Sequence, residues 1–289
     1  MQNIVFSKNR PLQLDLTLKS VEKNWGGDID IIYTTSKEYV DSYGVLARQY
    51  PDYRFIKQGK NIFRDVYESI DSSPDDYICF FTDDDIVYQD ASRYLSSEAL
   101  DSALNDSACL SLRLGTNISK RDIGGTLIDD SIPHLFPCSP SLIKWNRTSI
   151  PIGGYWSYPL SVDGHVFKSD VIKNIMSEIS SWIDHCRRDL TFRYDGTPNM
   201  VESIMQRFWF ELLPIMAAPL FSCVVNSPNN RVQSSVENRS GDLFPIDPKE
   251  ALMLFEDGKR IDLNALVSSD LNIKCPHQEI DLLEFLEKI

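Results

Sequence analysis

The stretch Tyr77-Ile78-Cys79-Phe80-Phe81-Thr82-Asp83-Asp84-Asp85-Ile86-Val87 decides how this chain folds. Tyr77 to Phe81 is apolar on both faces, the pattern of a central strand in a parallel sheet. Three consecutive carboxylates follow it at once. The carboxyl ends of parallel strands are where an α/β sheet opens its ligand crevice. In extended backbone Asp83 and Asp85 project to the same side. Crowded carboxylates raise one another's pKa unless a cation compensates. A hard divalent ion, Mn2+ or Mg2+, bridging to phosphate oxygens satisfies that need. Asp83 and Asp85 are therefore the expected metal ligands, and an acidic turn capping a strand in solvent is the bland alternative.

Upstream of this stretch, strands and helices alternate. Asn3 to Phe6 is a short apolar run ended by the polar turn Ser7-Lys8-Asn9-Arg10-Pro11. Leu12, Leu16, Leu18 and Val21 then fall at helical spacing, and the helix stops at Trp25-Gly26-Gly27. A strand at Ile29 to Thr34, a helix near Lys37 to Tyr50, a strand at Tyr53 to Lys57 and a helix from Ile62 to Ile70 lead back to Tyr77. This order predicts a doubly wound, mostly parallel sheet with right-handed crossovers. After about residue 115 the regularity fades into a loop-rich stretch with Gly124-Gly125 and Gly153-Gly154. A strand over Ser161 to Phe167, helices from Ser169 to about Arg188 and Asn199 to Glu211, and a strand from Leu220 to Val225 are expected next. The acidic tail ends in an amphipathic pattern read as a packing helix. The expected division is 1–115, a nucleotide-handling half, 116–240, an acceptor-handling half of the same domain, and 241–289, a C-terminal extension.

Composition narrows the function. The chain has 289 residues, 42% of them hydrophobic and 11% aromatic, too apolar for a disordered chain. Its 29 Lys and Arg against 42 Asp and Glu give a net charge of −13. That balance argues against gripping nucleic acid or an anionic membrane surface through counterion release. There is no long apolar leader and no transmembrane run, so a cytoplasmic protein is expected. The six cysteines (Cys79, Cys109, Cys138, Cys186, Cys223, Cys275) form no C-x-x-C pair and read as reduced core residues.

The opening strand with its S-x-x-R-P turn, followed by YICFFTDDDIVY, resembles nucleotide-sugar-dependent glycosyltransferases of the A-type fold with a DxD motif. The resemblance covers the first 90 or so residues well, and the order of elements to about residue 230. It implies that Ser7 and Arg10 meet the nucleotide and its diphosphate, and that Thr34 and Thr35 lie near base and ribose. It places Asn61 and Arg64 by the diphosphate or donor sugar, Asp83 and Asp84 with the nucleotide sugar, and Asp85 as the principal ligand of Mn2+ or Mg2+.

The second half must supply a base or a charge stabiliser. Asp163-Gly164-His165 puts an acid and an imidazole between apolar stretches, after a Gly/aromatic loop suited to a sugar; a turn aspartate and a core histidine are the plain alternatives. Glu202 lies in the first turn of a helix, near its positive end. The resemblance to a P-N-x-x-E arrangement sets it by the acceptor, where it would deprotonate a hydroxyl. Val224 to Gln233 runs into an Asn-rich turn whose Arg231 would close over the diphosphate. The family often draws a histidine from this region; none is present here, so water or Asn226 would replace it. Trp145 and Trp156 are read as packing residues, with stacking on sugar as the sharper alternative.

The expected function is metal-dependent transfer of a sugar from a UDP-linked donor to a hydroxyl of a glycan or lipid-linked glycan. The resemblance suggests surface-polysaccharide assembly, with peripheral contact at the inner face of the membrane. A nucleotidyltransferase is the second enzyme reading, although the turn after the first strand lacks the glycines it would want. A non-catalytic nucleotide- or glycan-binding protein is the reading from another class.

Overall fold

The computed structural model describes residues 1–123, 126–186, 194, 196–232 and 241–288. Gly124-Gly125, the end of the helix expected to reach Arg188, and Gln233 lie outside them. The first half runs β1 (Gln2–Lys8), α1 (Pro11–Asn24), β2 (Asp28–Thr34), α2 (Val40–Gln49), β3 (Arg54–Lys57), α3 (Ile62–Asp71) and β4 (Tyr77–Thr82). The turn into β2 needs glycine: a Cβ on Gly27, at φ +92°, would lie 2.6 Å from Met1 O.

Next come β5 (Asp85–Val87), α4 (Ser97–Leu104) and β6 (Leu110–Ser111), then the antiparallel pair β7 (Lys120–Ile123) and β8 (Thr126–Asp129). They are followed by β9 (Phe136–Ser139), β10 (Leu142–Asn146), β11 (His165–Lys168), α5 (Ser169–Cys186) and α6 (Pro198–Met205). The chain closes with β12 (Ile215–Pro219), β13 (Val224–Asn226), α7 (Pro248–Glu256), β14 (Lys259–Ile261), α8 (Leu263–Ser268) and β15 (Leu286–Lys288).

Among the described residues the central sheet has nine strands in the order β3-β2-β1-β4-β11-β6-β12-β10-β9. From β3 to β4 every pairing is parallel. Beyond β4 the sheet is mixed: β11 runs antiparallel to β4 and β6, β6 pairs parallel with β12, and β12, β10 and β9 alternate. The fold is thus α/β, with a doubly wound parallel half and a mixed half. Strand β6, from the first part of the chain, sits between β11 and β12, so both halves share one sheet.

Several elements differ from the sequence reading. The strand expected from Ser161 begins only at His165, because Gly164 adopts φ +65° and turns the chain just before it. Of the strand expected from Leu220 to Val225 only Val224 and Val225 are extended, in β13, while Leu220 and Phe221 are exposed in the turn that follows β12. The helix over Asn199 to Glu211 is α6 followed by a 3-10 turn, Gln206–Glu211. The tail's final pattern is a 3-10 turn, Leu282–Phe285, and then β15 paired with β14. Cys138 is exposed rather than core, on the edge strand β9, and Cys186 is half-buried. Trp145 and Trp156 pack edge to face in the core with centroids 4.9 Å apart. No helix among the described residues is long and apolar enough to cross a membrane.

Candidate active site

A cleft of about 780 Å³ opens at the carboxyl ends of β1, β2 and β4, within the ~300–1,000 Å³ usual for small-molecule pockets. Ser7, Lys8, Arg10, Thr34, Asp83 and Asp84 form part of its first wall. Asp163, Glu202, Asn226 and His277 stand on the other. Seven acidic residues line it against only Lys8, Arg10 and His277.

Arg10 reaches this place through a sharp exit from β1. Asn9 takes a left-handed backbone, φ 53°, which asparagine tolerates, and its side chain accepts from Ser36 N at 2.8 Å. Pro11 then opens α1. Arg10 Nη1 donates to Asp83 Oδ1 at 2.9 Å and to Asp84 Oδ2 at 2.8 Å. Its Nε donates to Asn230 Oδ1 at 2.6 Å, and its Nη2 to Asn230 O. Burial disfavours its charge, but Asp84 and Asp83 outweigh that and hold it protonated. The guanidinium is therefore committed mainly to this chain's own acids.

Asp83 is fully engaged. Its second oxygen accepts from Ser7 Oγ at 2.8 Å and Lys8 N at 2.9 Å. Burial still pushes its carboxyl up, only partly offset by Arg10. Asp85 lies behind the cleft wall, 0% exposed. Its Oδ2 accepts from Thr82 N at 2.7 Å and its Oδ1 from Asn226 Nδ2 at 3.1 Å. Burial, then the neighbouring Asp163 and Asp84, push it well above the usual carboxylate range. Asp83 and Asp85 thus share no open face for a Mn2+ or Mg2+ ion. Among the described residues no three Asp, Glu, His or Cys side chains surround a point that could hold a metal.

Asp84, Asp85 and Asp163, but not Asp83, share the Thr82 hydroxyl. It lies 2.8 Å from Asp84 Oδ1, 3.2 Å from Asp85 Oδ2 and 3.3 Å from Asp163 Oδ1. One hydrogen serves three carboxylates, and the Asn226 amide adds two more donors from the opposite side.

On the second wall, Gly164 turns the chain so that Asp163 faces inward. Asp163 Oδ2 accepts from Arg113 Nη1 at 2.7 Å and lies 3.2 Å from His277 Nε2. Burial alone would raise it, but its close neighbours His277 and Arg113 prevail and hold it below its usual range. Glu202 lies in the second turn of α6 rather than the first, because the helix already opens at Pro198, and it accepts from Val162 N at 3.3 Å. Burial and the Asp163 charge push Glu202 up. Two acids on one wall are thus driven apart in proton affinity, the environment that separates an anion from a base. His165 is a core residue: Nδ1 lies 3.0 Å from Pro159 O, and burial with Arg113 nearby lowers it to about 3.

Ser7, Arg10, Thr34, Asp83, Asp84, Asp163 and Glu202 come together in one cleft. Asn61 and Arg64 do not line it. Asn61 caps α3 and donates to Asp184 Oδ1 at 2.9 Å, and Arg64 pairs with the same aspartate. Arg231 is exposed and off the lining, whereas its neighbour Asn230 holds Arg10. Two residues escape a reading of the sequence. His277 arrives from the tail and lines the cleft beside Asp163; Cys275-Pro276-His277 gives no local signal for it. Arg113 is a lone charge inside the apolar run Leu110 to Leu114, which is the sign that it needs buried partners.

No family model matches the sequence, and no curated protein matches it. Among solved structures, S. aureus TarS 1-349 in complex with UDP aligns over 76% of this chain and 57% of its own, at 12% identity and a TM-score of 0.44. Glycosyltransferase GlyE of Streptococcus pneumoniae TIGR4, in its apo form, aligns over 92% and 62% at 13% identity and 0.36. The bifunctional IspDF of Campylobacter jejuni aligns over 71% and 47% at 11% identity and 0.32. The chain spans less than two thirds of the length of each of these structures.

Proposed function

We propose that the protein is a glycosyltransferase that moves a sugar from a nucleoside diphosphate donor, UDP-linked, to a hydroxyl of a glycan or lipid-linked glycan. The observation that carries this is the pairing of two walls across one cleft. The Arg10–Asp83–Asp84 constellation stands at the carboxyl ends of parallel strands, where such sheets take nucleotides. The Asp163–Glu202 pair faces it from the mixed half. The motif resemblance of the opening turn and the aspartate string agrees with this arrangement.

In this reading Glu202 accepts the proton of the acceptor hydroxyl as that oxygen attacks the sugar carbon. Asp163 stays anionic beside it and orients the reacting hydroxyls. The diphosphate leaves along the first wall, by Lys8 and the β1 turn. A diphosphate is repelled by a cleft with seven acidic residues. The donor therefore enters as its Mg2+ or Mn2+ complex, the cation belonging to the substrate rather than to a protein-held site.

The test is release of UDP from a panel of UDP-sugars by the purified protein with Mg2+ or Mn2+, alone and with glycan acceptors. Release that E202Q abolishes supports the assignment. Pyrophosphate formation from a nucleoside triphosphate and a sugar phosphate would instead identify nucleotidyl transfer. Nucleotide-sugar binding with no turnover would identify a binding protein.

A further inference from the structure

Arg113 stands outside the cleft wall, yet touches three residues that form it. It follows β6 in a turn pinned from both sides, with Leu112 N donating to Gly164 O at 2.8 Å and Cys223 N donating to Leu112 O at 2.6 Å. Its residue is 2% exposed, a placement that a guanidinium keeps only with well-set partners. Nη1 donates to Asp163 Oδ2 at 2.7 Å and lies 3.1 Å from His277 Nε2. The guanidinium carbon sits 5.4 Å from the Tyr155 ring centre, and the Tyr155 hydroxyl is 3.3 Å from His277 Nδ1.

Arginine has donors and no acceptor. Its contact with Nε2 therefore requires that nitrogen to accept, which leaves the ring proton on Nδ1, facing Tyr155. The competing arrangement, Nε2–H donating to Asp163 Oδ2 at 3.2 Å, sets that N–H against the Arg113 Nη1 donor only 3.1 Å away. We propose that Arg113 is a positioning residue that fixes His277 as its Nδ1–H tautomer and holds Asp163 beside it, without touching ligand itself. The consequence for catalysis rests on the glycosyltransferase reading; the tautomer does not.

Histidine-selective 15N labelling, with H277Q to assign the resonance, reads the tautomer at pH about 8.5, above the ordinary imidazole titration. The parent protein is expected to show a protonated Nδ1 and an unprotonated Nε2. R113M, checked for folding by near-UV circular dichroism, is expected to reverse them, since Asp163 then becomes the acceptor for Nε2–H. R113K is expected to restore the parent pattern. In transfer assays R113M should lower kcat by about tenfold or more while donor KM stays within about threefold. A parent Nε2–H, or a folded R113M with an unchanged tautomer, overturns the proposal; the parent measurement decides even if R113M does not fold. Absence of transfer by parent and variants alike would fail the functional reading and leave the tautomer result standing.

Discussion

The backbones of Asn226 and His277 lie side by side as a parallel bridge. Asn226 N donates to Pro276 O at 2.9 Å, and Gln278 N donates to Asn226 O at 3.0 Å. The side chain of the same asparagine donates to Asp84, Asp85 and Thr82. One residue thus joins the acid cluster behind β4 to the tail that carries the histidine.

That junction makes Asn226→Asp more damaging than Asn226→Ala. Alanine removes donors from buried acceptors, whereas aspartate also adds a carboxylate to Asp84 and Asp85. At neutral pH N226D is expected to lie about 1–3 kcal/mol below N226A in urea unfolding. The added acid has a folded pKa above its unfolded value, so its penalty is full at neutral pH. It fades as pH falls through that raised value, and the two variants converge near pH 4. A gap independent of pH would remove the electrostatic explanation.

Arg10 and Arg64 look alike in sequence and differ in cost. Removing Arg10 strands the buried Asp83 carboxylate and takes the cation from half-buried Asp84, so R10M is expected to lose about 3–5 kcal/mol at neutral pH. Asp83, which the Arg10 charge pulls down, protonates more readily without it, so the loss shrinks on acidification. The Arg64–Asp184 pair is about half exposed on both sides, and R64A is expected to cost about 0.2–1 kcal/mol. It should leave UDP affinity unchanged, because Arg64 does not line the cleft. A loss of UDP binding in R64A, by calorimetry, would return that arginine to the site.

The parallel half was legible because its signals are local: a strand apolar on both faces, a polar turn with proline, and a glycine pair after a helix. The first wall follows from it, since Ser7, Arg10 and Asp83 sit at strand ends that the order of elements fixes. Legibility stops where partners are distant in sequence. Asn61 and Arg64 have the right types and position, but α5 supplies Asp184 and draws both away. His277 reaches the cleft only through pairing with β13, which no local pattern encodes. The tail's LLEFLEKI has helical spacing, yet its last residues pair with β14, and the tertiary partner overrides the propensity.

The charge of the cleft sets how a nucleotide binds. With seven acidic residues along the walls, UDP in EDTA is expected to bind weakly. Adding Mn2+ should tighten it by at least about tenfold, or ~1.4 kcal/mol. Mn2+ alone should bind far more weakly than in the presence of UDP, because no three side chains among the described residues surround one metal position. D84N is expected to narrow the difference between EDTA and Mn2+. Equal UDP affinity in both conditions would mean that the local donors outweigh the acidic field.

Asp163 and Glu202 give the sharpest pH prediction. Glu202 is held above the ordinary glutamate range by burial and by the Asp163 charge. A base works when it has lost its proton, so transfer should rise with pH through that elevated value, above the ~4.3 of a free glutamate. E202Q should cut kcat by about 10²–10⁴ and abolish this acid limb, with donor affinity near that of the parent. D163N removes the neighbouring anion while keeping the side chain's shape, so the limb should move to lower pH as Glu202 gives up its proton more easily. A limb that stays in place in D163N and disappears in E202Q would keep Glu202 as base but remove the coupling. One that disappears in D163N and persists in E202Q would transfer the role to Asp163, whose Oδ1 already accepts from the Thr82 hydroxyl at 3.3 Å.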